Sequence, residues 1–234
     1  MNQFNWVEEA EKQWNERSSS WNLKSAEMWE TGSRKDIVPF FANYVQAGGV
    51  VCDLGCGDGY GSLKLAEIGY EVTGIDVSEE MIHKAKEINS NTTAQFKKGD
   101  ISELPFSNDR FDAVIAINSL EWTEQPLKVL KELKRVVKPG GHACVGILGP
   151  TAGPRINSYR RLYNEKVISN TMMPWEFARL AVENNWSAID SYGVYKRGAN
   201  QLSLGSLSLD LKQALSFMWI FMLENDKQEG MNEV

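Results

Sequence analysis

A short apolar segment followed by alternating glycines most constrains how this chain can fold. Val50 to Leu54 is typical of a buried parallel strand, and Gly55, Gly57 and Gly59 follow it directly. These glycines remove side chains where the backbone must turn sharply and approach a ligand. The next helix directs its free N–H groups toward that ligand. In an open α/β sheet such a turn lies at the carboxyl edge of the strands, where ligands bind.

The spacing of the glycines argues against a dinucleotide cofactor. The fingerprint G-x-G-x-x-G requires a third glycine, but counting from Gly55 that position is Tyr60, and counting from Gly57 it is Ser62. Asp58 lies within the turn, where its carboxylate would repel a pyrophosphate at the helix N-terminus. The turn therefore favours a cationic ligand without phosphate.

The segment 53–59, Asp-Leu-Gly-Cys-Gly-Asp-Gly, resembles the first motif of class I S-adenosylmethionine-dependent methyltransferases, a strand ending in D-x-G-x-G-x-G. S-adenosylmethionine carries a sulfonium, an amino-acid tail and no phosphate, in agreement with the charge argument. The resemblance implies that the cofactor site includes Asp53, Gly55, Cys56, Gly57, Asp58 and Gly59.

A carboxylate at the end of the next predicted strand, Glu71 to Asp76, is the second candidate for cofactor binding. Asp76 lies about twenty residues beyond the turn, where an acceptor can take both ribose hydroxyls of an adenosine. Its alternative role as a helix N-cap is better filled by Ser78. The resemblance adds Val77 to the site and places Met81 near the adenine.

The third predicted strand, which begins at Gln95, runs into a loop that resembles the adenine motif of the family. The resemblance implies that Asp100 receives the adenine amino group and that the backbone N–H of Ile101 reaches the ring. An ordinary loop role for Asp100 is the alternative.

The fourth predicted strand, Phe111 to Asn118, ends opposite the glycine turn. Ile117 and Asn118 are therefore expected against the sulfonium and its methyl group. Trp122 stands where many relatives carry histidine. This departure removes one candidate base and adds an aromatic face, either for packing or for contact with a cation or a flat acceptor.

Few residues are available as catalytic bases. Direct displacement at a sulfonium methyl group requires an acceptor held close and in line, and this positioning supplies much of the rate. A base is needed only when the acceptor arrives protonated. His83 and His142 lie outside the expected pocket, so Glu121 and Tyr159 are the candidate bases. The three cysteines show no metal-binding spacing, and no metal site is predicted.

Tryptophans recur at nearly helical spacing near the N-terminus, at Trp6, Trp14, Trp21 and Trp29. The stripe either packs on the core or forms a lid whose rings face the ligand. Ser18–Ser20 predicts a break in the helix or the start of a second one.

The order of elements predicts a Rossmann-like, doubly wound α/β sheet of seven strands, mostly parallel, with an antiparallel last strand. The expected division is an N-terminal helical cap at 1–46, an S-adenosylmethionine-binding core at 47–149, and a substrate-cap insert with the C-terminal strands at 150–234. The apolar segment Leu215 to Leu223 fits either a buried helix or the last strand, and we favour the strand. The insert carries a cluster of arginines and tyrosines that either holds an anionic acceptor or forms a solvated face.

Charge and composition limit the partners. A net charge of −6 argues against nucleic-acid binding as the main task. The N-terminus lacks the pattern of a signal peptide, and no apolar stretch is long enough to span a membrane, so we expect a cytoplasmic protein.

The chain is most similar to small-molecule methyltransferases of the quinone-biosynthesis type, the group called methyltransferase domain 11. This resemblance implies transfer of a methyl group from S-adenosyl-L-methionine to a small-molecule acceptor, which leaves S-adenosyl-L-homocysteine. A non-catalytic S-adenosylmethionine-binding protein and a nicotinamide-dependent oxidoreductase are the alternatives. The acceptor, the methylated atom and the oligomeric state stay open at this point.

Overall fold

The computed structural model describes residues 4–199 and 203–226, which form one seven-stranded sheet flanked by helices. The strand order is β3-β2-β1-β4-β5-β7-β6. Within this described part of the chain, β7 runs antiparallel to both of its neighbours, β5 and β6, and the other strand pairs are parallel. The predicted fold class is therefore confirmed. The strands are β1 Val50–Leu54, β2 Glu71–Asp76, β3 Gln95–Lys98, β4 Phe111–Ile117, β5 Val137–Leu148, β6 Trp186–Tyr195 and β7 Ser216–Asn225.

The helices lie between the strands and before the first of them. Within residues 4–199 and 203–226, 3₁₀ helices at Leu120–Trp122, Gly153–Tyr163 and Leu204–Ser206 form parts of the connections. None of the helices in the described ranges is long and apolar enough to cross a membrane. The α-helices are α1 Trp6–Glu30, α2 Ile37–Ala42, α3 Tyr60–Glu67, α4 Glu79–Ile88, α5 Pro126–Val136, α6 Pro174–Glu183 and α7 Leu209–Ala214.

The strand order reverses next to β1, and this reversal positions the site. From β1 the chain first builds outward through β2 and β3, and then crosses to β4 on the other side. The carboxyl ends of β1 and β4 consequently open a crevice that no crossover connection covers. Both strands are almost entirely buried, so apolar packing on the two faces of the sheet fixes their ends.

Helix α1 differs from the prediction of a break at Ser18–Ser20, because it continues through these residues as one helix of 25 residues. Ser18 is buried, and the Ser20 hydroxyl donates to the carbonyl of Arg17 at 2.9 Å. A serine whose hydroxyl donates to a carbonyl of the preceding turn is compatible with a helix interior. The N-terminal cap comes instead from Asn5, whose side chain accepts from the backbone N–H groups of Val7 and Glu8.

The C-terminal part of the chain completes the same sheet. The apolar segment Leu215 to Leu223 lies almost wholly in β7, as predicted. The segment that holds the arginine and tyrosine cluster is a 3₁₀ helix, Gly153–Tyr163. The limits 1–46, 47–149 and 150–234 stay predictions, and their residues 1–3, 200–202 and 227–234 lie outside the described part.

Candidate functional site

A cavity of about 250 Å³ lies at the carboxyl edge of the sheet, beneath helix α1. Its floor comes from the residues that follow β1, β2, β3 and β4, and its cover from one face of α1. The predicted residues that line it are Gly55, Cys56, Gly57, Asp76, Val77, Met81, Asp100, Ile101, Ile117 and Asn118.

The glycine turn is held in a conformation that side chains would obstruct. Gly55 has φ +72°, and a Cβ atom there would lie 2.5 Å from the Cβ of Ser119. Gly57 has φ +56°, also in the left-handed region. The backbone N–H groups of Gly55 and Cys56 donate to the Ile75 carbonyl at 2.8 and 3.0 Å. The turn is thus fastened to the end of β2, and its surface toward the cavity is bare backbone.

Asp76 ends β2 and lines the cavity with a carboxylate that is 8% exposed. Its Oδ2 accepts from the Gly57 backbone N–H at 2.9 Å, and its Oδ1 accepts from the Ser78 N–H at 2.9 Å. Burial raises the pKa of Asp76 to about 6. Each carboxylate oxygen retains acceptor capacity beyond these bonds, so the group can still receive two hydroxyls.

The loop after β3 contributes Asp100 and Ile101. The Asp100 Oδ1 accepts from the Ser102 backbone N–H at 2.8 Å, and its Oδ2 accepts from the Ser102 hydroxyl at 2.7 Å. This short turn fixes the Asp100 carboxylate at the cavity wall. Met81 is 2% exposed, in the first turn of α4, and its backbone N–H donates to the Ser78 hydroxyl.

The end of β4 turns sharply at Asn118, which has φ +55°. The Asn118 backbone N–H donates to the Gly146 carbonyl at 2.9 Å, and its own carbonyl accepts from Trp122 Nε1 at 2.7 Å. A left-handed conformation in a residue other than glycine persists only where its surroundings hold it in place. These bonds direct the chain after Ile117 along the cavity wall.

The tryptophan stripe of α1 divides between the two predicted roles. Trp6, Trp14 and Trp21 line the cavity, while Trp29 is buried in the core. The Trp14 ring makes edge contacts with Trp21 and Trp122, at centroid distances of 5.8 and 5.4 Å. Trp6 Nε1 donates to the Trp122 carbonyl at 2.6 Å. Helix α1 is thus a cover that packs directly on the wall formed after β4.

Arg34 is a cavity residue that sequence reasoning missed. It is only 7% exposed, and its Nε has no hydrogen-bond partner within 4–199 and 203–226. The guanidinium lies over the ring of Trp21, 4.9 Å from its centroid. Burial lowers the pKa of Arg34 to about 10, and Asp58 is foremost among the carboxylates that oppose this effect. Arg34 therefore stays charged at neutral pH. In the sequence Arg34 stands among charged loop residues, and no sequence feature distinguishes it from a solvent-exposed arginine.

Three residues of the first motif do not line the cavity. The Asp53 Oδ2 accepts from the Ser62 hydroxyl at 2.7 Å, and burial raises the pKa of Asp53 to about 6. The Asp58 Oδ1 accepts from the Ser25 hydroxyl of α1 at 2.8 Å, and burial raises the pKa of Asp58 as well. Gly59 caps α3 with φ +76°. All three lie on the side of the turn that faces away from the cavity. Asp58 also holds α1 against the turn through its bond to Ser25.

The two candidate bases lie away from the cavity. Glu121 is 1% exposed, its Oε1 accepts from the backbone N–H of Leu148, and burial raises its pKa. Tyr159 lies on the exposed surface of Gly153–Tyr163, with its hydroxyl 3.3 Å from that of Tyr163. The geometry thus gives no support to either residue as a base. In the described part of the chain, no three His, Cys, Asp or Glu residues are grouped so as to hold a metal ion.

Comparison with known proteins is consistent with this site. Residues 52–145 match the family model described as a methyltransferase domain. A malonyl-[acyl-carrier protein] O-methyltransferase of Buchnera aphidicola is 29% identical over 167 residues, 65% of this chain and 67% of the relative. A demethylmenaquinone methyltransferase of Clavibacter sepedonicus is 26% identical over 186 residues, 76% of this chain and 73% of the relative. Other leading matches span less of the relative, down to 18% of its length.

The fold also matches solved structures. A SAM-dependent methyltransferase of Methanosarcina mazei superposes with a TM-score of 0.63 at 22% identity, over 80% of this chain and 96% of that one. At this identity the likeness concerns the fold alone. Residues 52–145 thus carry a methyltransferase domain, and the fold of the chain agrees with that of a solved SAM-dependent methyltransferase.

Proposed function

We propose that this protein transfers the methyl group of S-adenosylmethionine to a small-molecule acceptor by direct displacement. One observation carries the proposal: a single cavity combines the buried guanidinium of Arg34, whose Nε has no hydrogen-bond partner among the described residues, with the carboxylates of Asp76 and Asp100. The cofactor presents a tail carboxylate, a ribose diol and an adenine amino group. Each of these groups has a complementary partner in the cavity.

The residues present fit the cofactor group by group. Arg34 is assigned to the tail carboxylate, because a buried cation with an unsatisfied N–H donor is stabilised by an anion. The bare backbone at Gly55 and Gly57 leaves room for the tail. Asp76 is assigned to the ribose hydroxyls, and Asp100 to the adenine amino group. The remaining assigned contacts are apolar or backbone contacts from Cys56, Val77, Met81, Ile101, Ile117 and Asn118.

The bound cofactor supplies an electrophilic methyl group on a sulfonium. The chain contributes position: the end of β4 and the ring of Trp122 form one wall, and Trp14 of α1 closes the cavity from above. No histidine lines the cavity among the described residues. Catalysis by holding the acceptor in line is therefore the mechanism that the site favours.

The class of acceptor follows from the relatives only as a proposal. Their names refer to the malonyl group on an acyl-carrier protein and to demethylmenaquinone. We propose an acceptor that is a small molecule or a small carried group, anionic or neutral, and not a nucleic acid. A cytoplasmic location belongs to the same proposal and can be tested by cell fractionation.

A transfer assay tests the function. The protein is incubated with methyl-labelled S-adenosylmethionine and fractionated metabolite extracts, and labelled products are identified by mass spectrometry. We expect one class of labelled product that disappears with Asp76→Ala. Tight S-adenosylhomocysteine binding without transfer to any fraction would favour a non-catalytic cofactor-binding protein. NADH binding without S-adenosylhomocysteine binding would favour an oxidoreductase.

A further inference from the structure

The 3₁₀ helix Gly153–Tyr163 presents a row of apolar side chains to solvent. With three residues per turn, positions i, i+3 and i+6 lie on one face. Ile156, Tyr159 and Leu162 form such a row, with exposed fractions of 72%, 47% and 68%. Tyr163 is 58% exposed, and its ring centroid lies 5.7 Å from that of Tyr159. We call these four residues the apolar ridge.

A second row of side chains on the same helix keeps the ridge facing solvent. The Arg155 guanidinium donates to the backbone carbonyls of Gly149 and Met172, at 3.0 and 2.7 Å. Ser158 is 5% exposed, and its hydroxyl donates to the Arg155 carbonyl at 2.8 Å. Arg161 Nη1 donates to the Ser158 carbonyl at 3.0 Å. Because the Arg155 bonds hold the helix to the end of β5 and to the segment before α6, the ridge cannot turn inward without breaking them.

The segment beside the ridge carries a net charge opposite in sign to that of the whole chain. The chain carries a net charge of −6, but the exposed segment 160–166 holds three cations, Arg160, Arg161 and Lys166, and one anion, Glu165. Arg160 pairs with Glu165 and lies over the ring of Tyr163, 4.6 Å from its centroid. The ridge is therefore flanked by a local positive charge.

We propose that the apolar ridge inserts into the surface of an anionic lipid bilayer while the flanking cations contact lipid phosphates. Exposed apolar side chains beside arginine and lysine are the combination that binds such interfaces. Tyrosine prefers this boundary, because one end of its ring is apolar and the other is polar. The ridge is a separate surface from the cofactor cavity, since no described residue of 150–173 lines that cavity.

The size of the ridge favours a membrane over a protein partner. A 3₁₀ helix of 11 residues is about 22 Å long, at roughly 2.0 Å per residue. A stable protein interface buries about 800 Å² on each partner, whereas the ridge consists of four side chains. The free energy of membrane binding, by contrast, is the sum of contributions from a few inserted side chains and charges.

Vesicle co-sedimentation tests the proposal with the intact protein. The vesicles contain phosphatidylcholine alone or phosphatidylcholine mixed with phosphatidylglycerol. We expect binding to the mixed vesicles that weakens as salt is added. Leu162→Glu should lower the partition coefficient about tenfold, because it removes an inserted apolar group and adds a repelled charge. Lys166→Glu should lower it by several fold.

The matched control is Leu23→Glu, which alters an 85% exposed leucine on α1 by the same chemistry. Its vesicle binding should equal that of the unchanged protein, and all variants should keep their melting temperatures and S-adenosylhomocysteine affinity. The proposal is overturned if the unchanged protein does not bind anionic vesicles, or if Leu23→Glu lowers vesicle binding as much as Leu162→Glu does. It is also overturned if Leu162→Glu leaves vesicle binding intact and instead dissociates an oligomer in size-exclusion chromatography.

Discussion

The Oδ2 atom of Asp76 accepts a hydrogen bond from the backbone N–H of Gly57 at 2.9 Å. This bond joins the end of β2 to the glycine turn that follows β1, so one carboxylate both shapes the turn and lines the cavity. The other oxygen accepts from Ser78 at the start of α4. Two loops of the site, the turn after β1 and the loop after β2, therefore depend on a single buried side chain.

Asp76→Ala should weaken S-adenosylhomocysteine binding at least tenfold, because it removes the proposed acceptor of the ribose hydroxyls. Loss of hydrogen bonds to a charged group costs about 1.5–3 kcal/mol. Titration calorimetry measures the change. Asp112→Ala is the control, since Asp112 bonds to Val50 and Lys138 and does not line the cavity. An unchanged Kd for Asp76→Ala would contradict the assignment.

Cofactor affinity should fall as the pH drops below about 6, the pKa to which burial raises Asp76. The proposed ribose contact needs the ionised carboxylate, and protonation of one group lowers affinity by up to tenfold per pH unit. Calorimetry at several pH values between about 5 and 8 measures the slope. Asp76→Asn should bind weakly at every pH and show little of this dependence. A slope in Asp76→Asn equal to that of the unchanged protein would attribute the effect to another group.

The sheet followed directly from local sequence because its strands are short apolar runs bounded by turn residues. The predicted limits of the second strand, Glu71 to Asp76, are those of β2. Asp76, Ile117 and Asn118, at the ends of β2 and β4, also line one cavity, as expected where the carboxyl ends of parallel strands meet. The local sequence pattern and the strand topology were therefore sufficient to predict this part of the site.

The rest of the site depends on contacts between distant segments. Arg34 enters the cavity because α1 and α2 fold across the sheet, a path that no local pattern records. Asp58 turns back to Ser25, 33 residues earlier, instead of toward a ligand. Glu121 sits one residue before a cavity residue, yet its side chain points toward Leu148. The direction of a side chain in a short 3₁₀ turn is set by packing that sequence spacing alone does not reveal.

Arg34→Gln should weaken the binding of S-adenosylhomocysteine by tenfold or more and leave the binding of 5′-methylthioadenosine unchanged. The second compound keeps the adenosine but lacks the amino-acid tail, so the difference isolates the carboxylate contact. Calorimetry with both ligands makes the comparison. Equal losses for both would show that Arg34 shapes the cavity through its stacking on Trp21 and does not bind the tail.

The ligand-free protein should lose stability as the pH rises from about 4 to about 6 and change little above that. Burial raises the pKa values of Asp53 and Asp76 from 3.8 to about 6. A carboxyl group with a raised pKa in the folded state contributes stability that is present below its unfolded pKa and lost as the pH rises through the folded one. Melting temperatures between about pH 4 and 7 measure this. Asp53→Asn, which keeps an acceptor for Ser62, should flatten the profile.

Gly61→Ala should lower the free energy of unfolding by about 1–2 kcal/mol, although alanine is the better helix former by about 1 kcal/mol. A Cβ atom at Gly61 would lie 2.5 Å from Cζ2 of Trp29, a buried ring of α1 that cannot move aside cheaply. The clash would lift α1 from α3, and cofactor affinity should fall with stability because α1 also carries Trp14 and Trp21. Denaturant unfolding and calorimetry measure the two effects. Gly205→Ala is the control, since nothing lies within 4 Å of the added carbon. Equal stability of the two variants would show that α1 is not held against α3 by this contact.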